Sequence, residues 1–291
     1  MSDGPTTITV GTGKRMHLGI STCPNDTFAF AALLEGRVDT LGYEFVIDLL
    51  DIDELNQGLD SGRFDVLKAS FHAALHHTHH TVVLPVGSAI GFGVGPLLLA
   101  SKPNSRPESA DQLALCPGAR TTAKLLWDLF YRDTARVEHV VFSDIMPRLA
   151  EGSADFGVCI HEGRFTYEQS GLHCVEDLGE RWEAATKCPL PLGGLLMRTQ
   201  HPDAMIKQVS QVVSSSLAAA RQAPDSALPA MRRYAQSMDD AVLMQHVELY
   251  VNAWTESLEG AGADSLKKLS ELAKNAGMVG DKTPDLRILE V

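Results

Sequence analysis

The chain has 291 residues, 44% of them hydrophobic and 21% charged, with a formal net charge of −12. This is the make-up of a globular protein, and the length exceeds one ordinary domain, so two lobes are expected. The acidic balance and the absence of a long basic run argue against nucleic acid or an anionic membrane surface as partner. No apolar run approaches the roughly 20 residues of a membrane span.

Residues 1–15 carry Gly, Thr and Pro but no apolar core of the kind that marks a secretory signal. They read as a flexible leader, and Met16 opens the first expected strand. The five cysteines (Cys23, Cys116, Cys159, Cys174 and Cys188) are scattered, with no Cys-x-x-Cys pair. That suits neither a disulfide framework nor a cysteine zinc site, and it points to a reducing, cytoplasmic compartment.

A strand at 17–21 is followed by a turn and a helix at 27–34, with Asn25 and Asp26 as capping residues and Gly36 closing it. A strand at 43–50, a helix at 52–59 started by Asp51 or Asp53, and a strand at 64–69 continue the alternation. Ser70 is placed to cap a helix running to Leu75. Such β-α-β-α order implies a mostly parallel sheet covered on both faces. Residues 87–96 are rich in glycine and lead to an apolar strand at 97–100. Residues 102–107 have a linker's composition.

A second alternating set follows. Thr121 and Thr122 cap a helix whose apolar face holds Leu125, Leu126, Leu129 and Phe130. A strand is expected at 137–142, a helix at 145–150, a buried strand at 156–160, a helix at 178–187 and an apolar strand at 192–197 that returns toward the first lobe. From Pro202 onward the pattern is helical, with Met205, Ile206, Val209, Val212, Val213 and Leu217 on one face. Further helices start at Pro224 and at Asp239-Asp240, the latter running through Trp254, and a last one spans 263–276. The expected division is a leader at 1–15, a discontinuous first lobe at 16–103 and 199–291, and an inserted second lobe at 104–198. The fold class is α/β and two-lobed, and the two crossings between lobes make a hinged clamp with a cleft.

His161 stands where the strand at 156–160 breaks, at the carboxyl end where open α/β sheets place ligands. Imidazole can take or give a proton near neutrality, although a strand-end histidine is more often just hydrogen-bonded to a loop. Three turns lead into helices, at 21–26, 68–70 and 118–123. Any one is an ordinary cap, but three at facing strand ends suit a shared anion site, with Lys68 adding positive charge. The run His72, His76, His77, His79 and His80 reads as a polar helix end rather than a metal site, because no Cys or acidic residue completes a set nearby. Residues 91–95 lack the Gly-Lys-Ser/Thr of a phosphate loop and read as turn and hinge material. Cys23 reads as a small buried hydrophobe sooner than as a nucleophile.

Several segments together resemble the 1,4-dihydroxy-6-naphthoate synthase family of the futalosine route to menaquinone. They are Ser-Thr-Cys-Pro-Asn-Asp-Thr-Phe at 21–28, Lys-Ala-Ser at 68–70, Gly-Val-Gly-Pro-Leu at 93–97, Arg-Thr-Thr-Ala at 120–123, Ile-His-Glu-Gly-Arg-Phe-Thr-Tyr at 160–167, Leu-Pro-Leu-Gly at 190–193 and Tyr-Val-Asn-Ala at 250–253. The likeness runs from about Met16 to Trp254. It departs from the family at Thr22, where Pro is frequent, and at Gly163, where Ser is frequent. The resemblance implies a type II periplasmic-binding-protein-like fold with the cleft between lobes. It implies a lyase acting on cyclic dehypoxanthine futalosine, with a small anionic substrate as its partner and no metal or organic cofactor. His161 maps onto the family's catalytic base. Lys68, Ala69, Ser70, Thr122 and Ala123 map onto its substrate-binding segments, and Asn25, Asp26, Thr121, Glu162 and Arg164 are supporting candidates. A monomer or homodimer is expected. Two rivals stay open: chorismate dehydratase of the same pathway, which shares the fold, and a non-catalytic small-anion-binding protein.

Overall fold

Two strands open the described chain, β1 (Thr6–Gly11) and β2 (Lys14–Ser21). The computed structural model describes residues 6–160, 163–234 and 239–290. β1 lies inside the segment expected to be a flexible leader. Its Thr-Thr-Ile-Thr-Val run is rich in β-branched residues, which suit a pleated surface. It pairs antiparallel with β3 (Tyr43–Leu50), from Thr6 opposite Leu49 to Gly11 opposite Glu44, and Val10 reaches the core.

Between β2 and β3 lies α1 (Pro24–Leu34), which begins three residues before its expected start. Pro24 occupies the first helical position, where its fixed φ and missing N–H do no harm, so Asn25 and Asp26 fall inside the first turn instead of capping it. α2 (Ile52–Ser61) is capped by Asp51, not Asp53, with Glu54 reaching back to complete a capping box. Then come β4 (Val66–Ser70), the short α3 (Phe71–Leu75), β5 (Thr81–Val83) and β6 (Ala89–Gly91).

The chain now changes sheet. β7 (Leu97–Ala100), β8 (Leu113–Cys116), α4 (Thr122–Phe130), β9 (Arg136–His139), α5 (Phe142–Ala150), β10 (Phe156–Cys159), α6 (Gly163–Thr166), β11 (His173–Asp177) and α7 (Leu178–Thr186) build the second lobe. Its sheet runs β11-β7-β10-β8-β9, with β10 parallel to β8, β8 parallel to β9, and β7 antiparallel to both β10 and β11. β12 (Leu190–Arg198) then returns to the first sheet, whose order is β1-β3-β2-β4-β12-β5 with β6 beside β12. β2 lies parallel to β3 and β4, and β12 antiparallel to β4. The exchange between sheets therefore falls at 92–96 and 187–189. The expected boundary at 103 assigns β7 to the wrong lobe, and the one at 198 falls after β12, although that strand does return to the first lobe as its expected course implies. Both strands are apolar and largely buried, so their sequence carries no mark of which neighbour they pair with.

Helices complete the first lobe: α8 (Asp203–Gln222), α9 (Leu228–Tyr234), α10 (Asp240–Tyr250), α11 (Ala253–Glu256) and α12 (Ala261–Asn275). The stripe from Met205 to Leu217 on α8 is buried, and α8 packs on α1, itself buried on nearly every side. α10 stops at Tyr250 because the Asn252 side chain accepts from Trp254 N and starts a new turn. One apolar cluster joins the first sheet to α1, α8, α9 and α10, while another crosses between lobes through Leu67, Phe71, Leu98, Trp127 and Trp182.

Candidate functional site

A cleft of about 740 Å³, part of it open to solvent, lies where the two lobes meet. The first lobe supplies Ser21, Asn25, Lys68, Ser70, His246 and Tyr250 among others, and the second supplies Thr121, Thr122, Ala123, Ile160 and Arg164. Three turns read from the sequence as one shared anion site thus do converge.

Asp26 organises the first wall. Its Oδ2 accepts from Ser21 Oγ at 2.6 Å and Ser21 N at 3.3 Å, and its Oδ1 accepts from Asn25 Nδ2 at 3.0 Å and from Lys68 Nζ at 2.7 Å. Lys68 also donates to Gly87 O at 2.8 Å. An ammonium has three N–H groups; two are thus directed into the protein, and the lysine charge is matched by a buried carboxylate. His246 Nε2 lies 3.1 Å from Asn25 Oδ1. Because the Asn25 amide nitrogen donates to Asp26, its oxygen is the acceptor, which places the imidazole proton on Nε2. The His246 ring lies against that of Tyr250 in a tilted arrangement, with centroids 4.4 Å apart and planes at 37°.

Ser70 is held at two points by Asn56, which donates to its Oγ at 3.1 Å and accepts from its backbone N at 2.9 Å. The hydroxyl accepts in that pair, so its own proton is not used there. Ser70 forms no side-chain cap on α3, contrary to the capping expected of it. Ala69 also departs from expectation: it is fully buried in the core and does not line the cleft. The reason is the period of two along β4, which turns Lys68 and Ser70 to one face and Ala69 to the other.

The second wall is built mainly from the start of α4. Thr121 caps it, its Oγ1 accepting from Lys124 N at 3.2 Å. Thr122 Oγ1 donates to Leu192 O of β12 at 2.6 Å, so this start is tied to the first lobe. Arg164 is engaged on both sides, donating to Gly95 O at 2.5 Å and to Asp177 Oδ2 at 2.6 Å. Gly95 tolerates no side chain, since a Cβ there would lie 2.2 Å from Gly179 Cα. His161 and Glu162 lie outside the described residues.

Among the histidines, burial pushes the His72 pKa down to about 4, and its Nδ1 lies 3.0 Å from Thr121 O. His77 pairs with Asp60 at 3.0 Å. Among the described residues no three His, Cys, Asp or Glu side chains form a group able to hold a metal, and no helix is long and apolar enough to cross a membrane. The five cysteines form no disulfide, and burial pushes the Cys116 and Cys159 thiols up to about 12, which suits inert core residues. Asn56 and His246, both in the site's framework, carry no sequence signal beyond being polar residues on helices.

The model of a family described as menaquinone biosynthesis matches residues 16–275. A 1,4-dihydroxy-6-naphtoate synthase of Thermus thermophilus is 38% identical over 266 residues, covering 91% of this chain and 96% of that one. Its counterpart in Streptomyces coelicolor is 35% identical over 275 residues, covering 93% and 96%. A crystal structure of an Archaeoglobus fulgidus protein superposes with a TM-score of 0.83 at 30% identity, over 91% of this chain and 98% of that one. The periplasmic aliphatic sulphonate binding protein of Escherichia coli superposes with a TM-score of 0.63 at 12% identity, over 94% and 90%. That last likeness shows the fold alone: two lobes of the periplasmic-binding-protein type.

Proposed function

The chain belongs to the menaquinone biosynthesis family, and we propose that it is a carbon–carbon lyase of that pathway, a 1,4-dihydroxy-6-naphthoate synthase. It converts cyclic dehypoxanthine futalosine to 1,4-dihydroxy-6-naphthoate and releases a three-carbon sugar fragment. The observation that carries this reading is the convergence of Lys68, Ser70, Thr122 and Ala123 in one interlobe cleft, in a chain 35–38% identical to two synthases of that name.

The substrate carboxylate is held by neutral donors as much as by charge. Lys68 and Arg164 each have a carboxylate partner. The first N–H groups of α4, at Thr122 and Ala123, and the Ser70 hydroxyl supply the remaining grip. His161 is the base. It falls in the chain between Ile160 and Arg164, both cleft residues, and the family motif runs through it. It removes a proton from the sugar-derived part of the substrate, a carbon–carbon bond breaks in retro-aldol fashion, and the ring aromatises. Aromatisation drives the reaction, so the protein supplies placement, a base and charge stabilisation. The reading places the protein in the cytoplasm, as a monomer or homodimer working without metal or organic cofactor.

Purified protein incubated with cyclic dehypoxanthine futalosine should yield the naphthoate by mass spectrometry. Loss of water from chorismate, with the futalosine untouched, would move it to chorismate dehydratase. His161→Ala should fold normally and turn over roughly 10²–10⁴-fold more slowly. Wild-type turnover in that variant removes His161 from its role.

A further inference from the structure

His72 is the one polar side chain of α3, where Phe71, Ala73, Ala74 and Leu75 are buried apolar residues. A leucine would fill the position as well if packing alone mattered. Its ring instead reaches from the first lobe to the second, with Nδ1 3.0 Å from Thr121 O. That oxygen can only accept, so Nδ1 carries the proton and donates. The same carbonyl accepts from Leu125 N at 3.1 Å, the first helical bond of α4. One oxygen thus joins the opening turn of α4 to a side chain of the opposite lobe. Both ends of this contact sit beside cleft residues: Ser70 two positions before His72, and Thr122 and Ala123 directly after Thr121.

We propose that His72 is a positioning residue, a latch that holds the start of α4 against the first lobe so that the ligand-facing segments 68–70 and 121–123 meet at a fixed separation. Nδ1 can donate in either charge state of the ring; burial, which outweighs the pull of that carbonyl toward the charged form, keeps the ring neutral well below pH 6, with its pKa pushed down to about 4. His76, Asp128 and Lys124 are the charged or titratable groups that influence it. Thr122 Oγ1 on Leu192 O and the Arg120–Asp60 pair act on the same turn from β12 and α2, but neither reaches the carbonyl that starts the helix.

The kinetic part of the test rests on the lyase reading. His72→Leu removes the donor and keeps the apolar fill, whereas His72→Asn loses volume but keeps a nitrogen donor near the Nδ1 position. With cyclic dehypoxanthine futalosine, the leucine variant should show KM raised roughly tenfold or more with kcat within about threefold of wild type, and the asparagine variant should stay within about threefold on both. Stability to urea should not follow that order, since leucine packs the site better. His72→Ala, with the same kinetic expectation, serves if leucine proves too large to fold. A second measurement needs no turnover: hydrogen exchange of the Lys124 and Leu125 amides in ligand-free protein should be roughly tenfold faster in the leucine variant and near wild type in asparagine. Wild-type KM and exchange in the leucine variant, or equal KM rises in leucine and asparagine, would overturn the latch. A wild-type protein inert toward the futalosine defeats the lyase reading instead, and the exchange experiment alone then decides the latch.

Discussion

The two walls of the cleft are built on different plans. On the first, every partner comes from the first lobe: Ser21, Asn25 and Lys68 converge on Asp26, His246 fixes Asn25, and Asn56 fixes Ser70. On the second, the start of α4 takes its position from outside its own lobe, through His72, Leu192 and Asp60. The first wall is therefore held within its own lobe, and the second by contacts across the lobe boundary. A ligand bridging both would meet one face held within its own lobe and one whose position depends on contacts between the lobes.

The sharpest way to break the first wall is to remove its central carboxylate. Lys68 and Asp26 are only 6% and 3% exposed, so Asp26→Ala leaves an uncompensated buried charge. Losing one partner of such a pair costs about 3–5 kcal/mol, whereas replacing both with apolar groups is often near neutral. Urea unfolding should show that loss in Asp26→Ala and recover at least half of it in the double variant Asp26→Ala, Lys68→Met. An Asp26→Ala midpoint close to wild type would mean that the pair does not organise the wall.

These differences also explain what the sequence does and does not disclose. Capping chemistry is local, so Asp51, Thr121 and the helices they start can be read from spacing. The alternation along β4 is local too, and it already implies that Lys68 and Ser70 share a face that Ala69 does not. Long-range choices leave no local trace. β7 is an apolar run, and only the assembled sheets show that it belongs to the second lobe and that the crossings lie several residues before the expected boundaries. Asn56 and His246 act through partners 14 and 221 positions away, and His72 looks like one of five histidines until Thr121 is seen beside it.

Acid should act on the second wall through that histidine. Burial lowers the folded-state pKa of His72 from 6.5 to about 4. Between those values the unfolded chain holds a proton that the folded chain does not, so stability is present above pH 6.5 and is lost as pH falls toward 4. His76, His77 and His139, also lowered by burial, tilt the curve the same way. Substituting His72→Asn should flatten the fall by up to about 1.4 kcal/mol per pH unit within that window, the worth of one proton. An unchanged slope, measured as urea midpoint against pH, would show that the ring is protonated in the folded protein.

The smallest effect is expected where a charge pair joins the walls in the open. Arg120 donates twice to Asp60, at 2.7 and 2.9 Å, in a geometry as good as that of the buried pair. Its side chains, however, are 39% and 52% exposed. Water screens the attraction in both states, and exposed pairs contribute about 0–1 kcal/mol. Arg120→Ala should therefore shift the urea midpoint by no more than that. The shift should vanish near 1 M salt, where the screening length falls to roughly 3 Å, while the deficit of Asp26→Ala persists, because salt does not enter the buried site. A large, salt-resistant loss in Arg120→Ala would mean that the second wall hangs on this pair and not on the buried contact between His72 and Thr121.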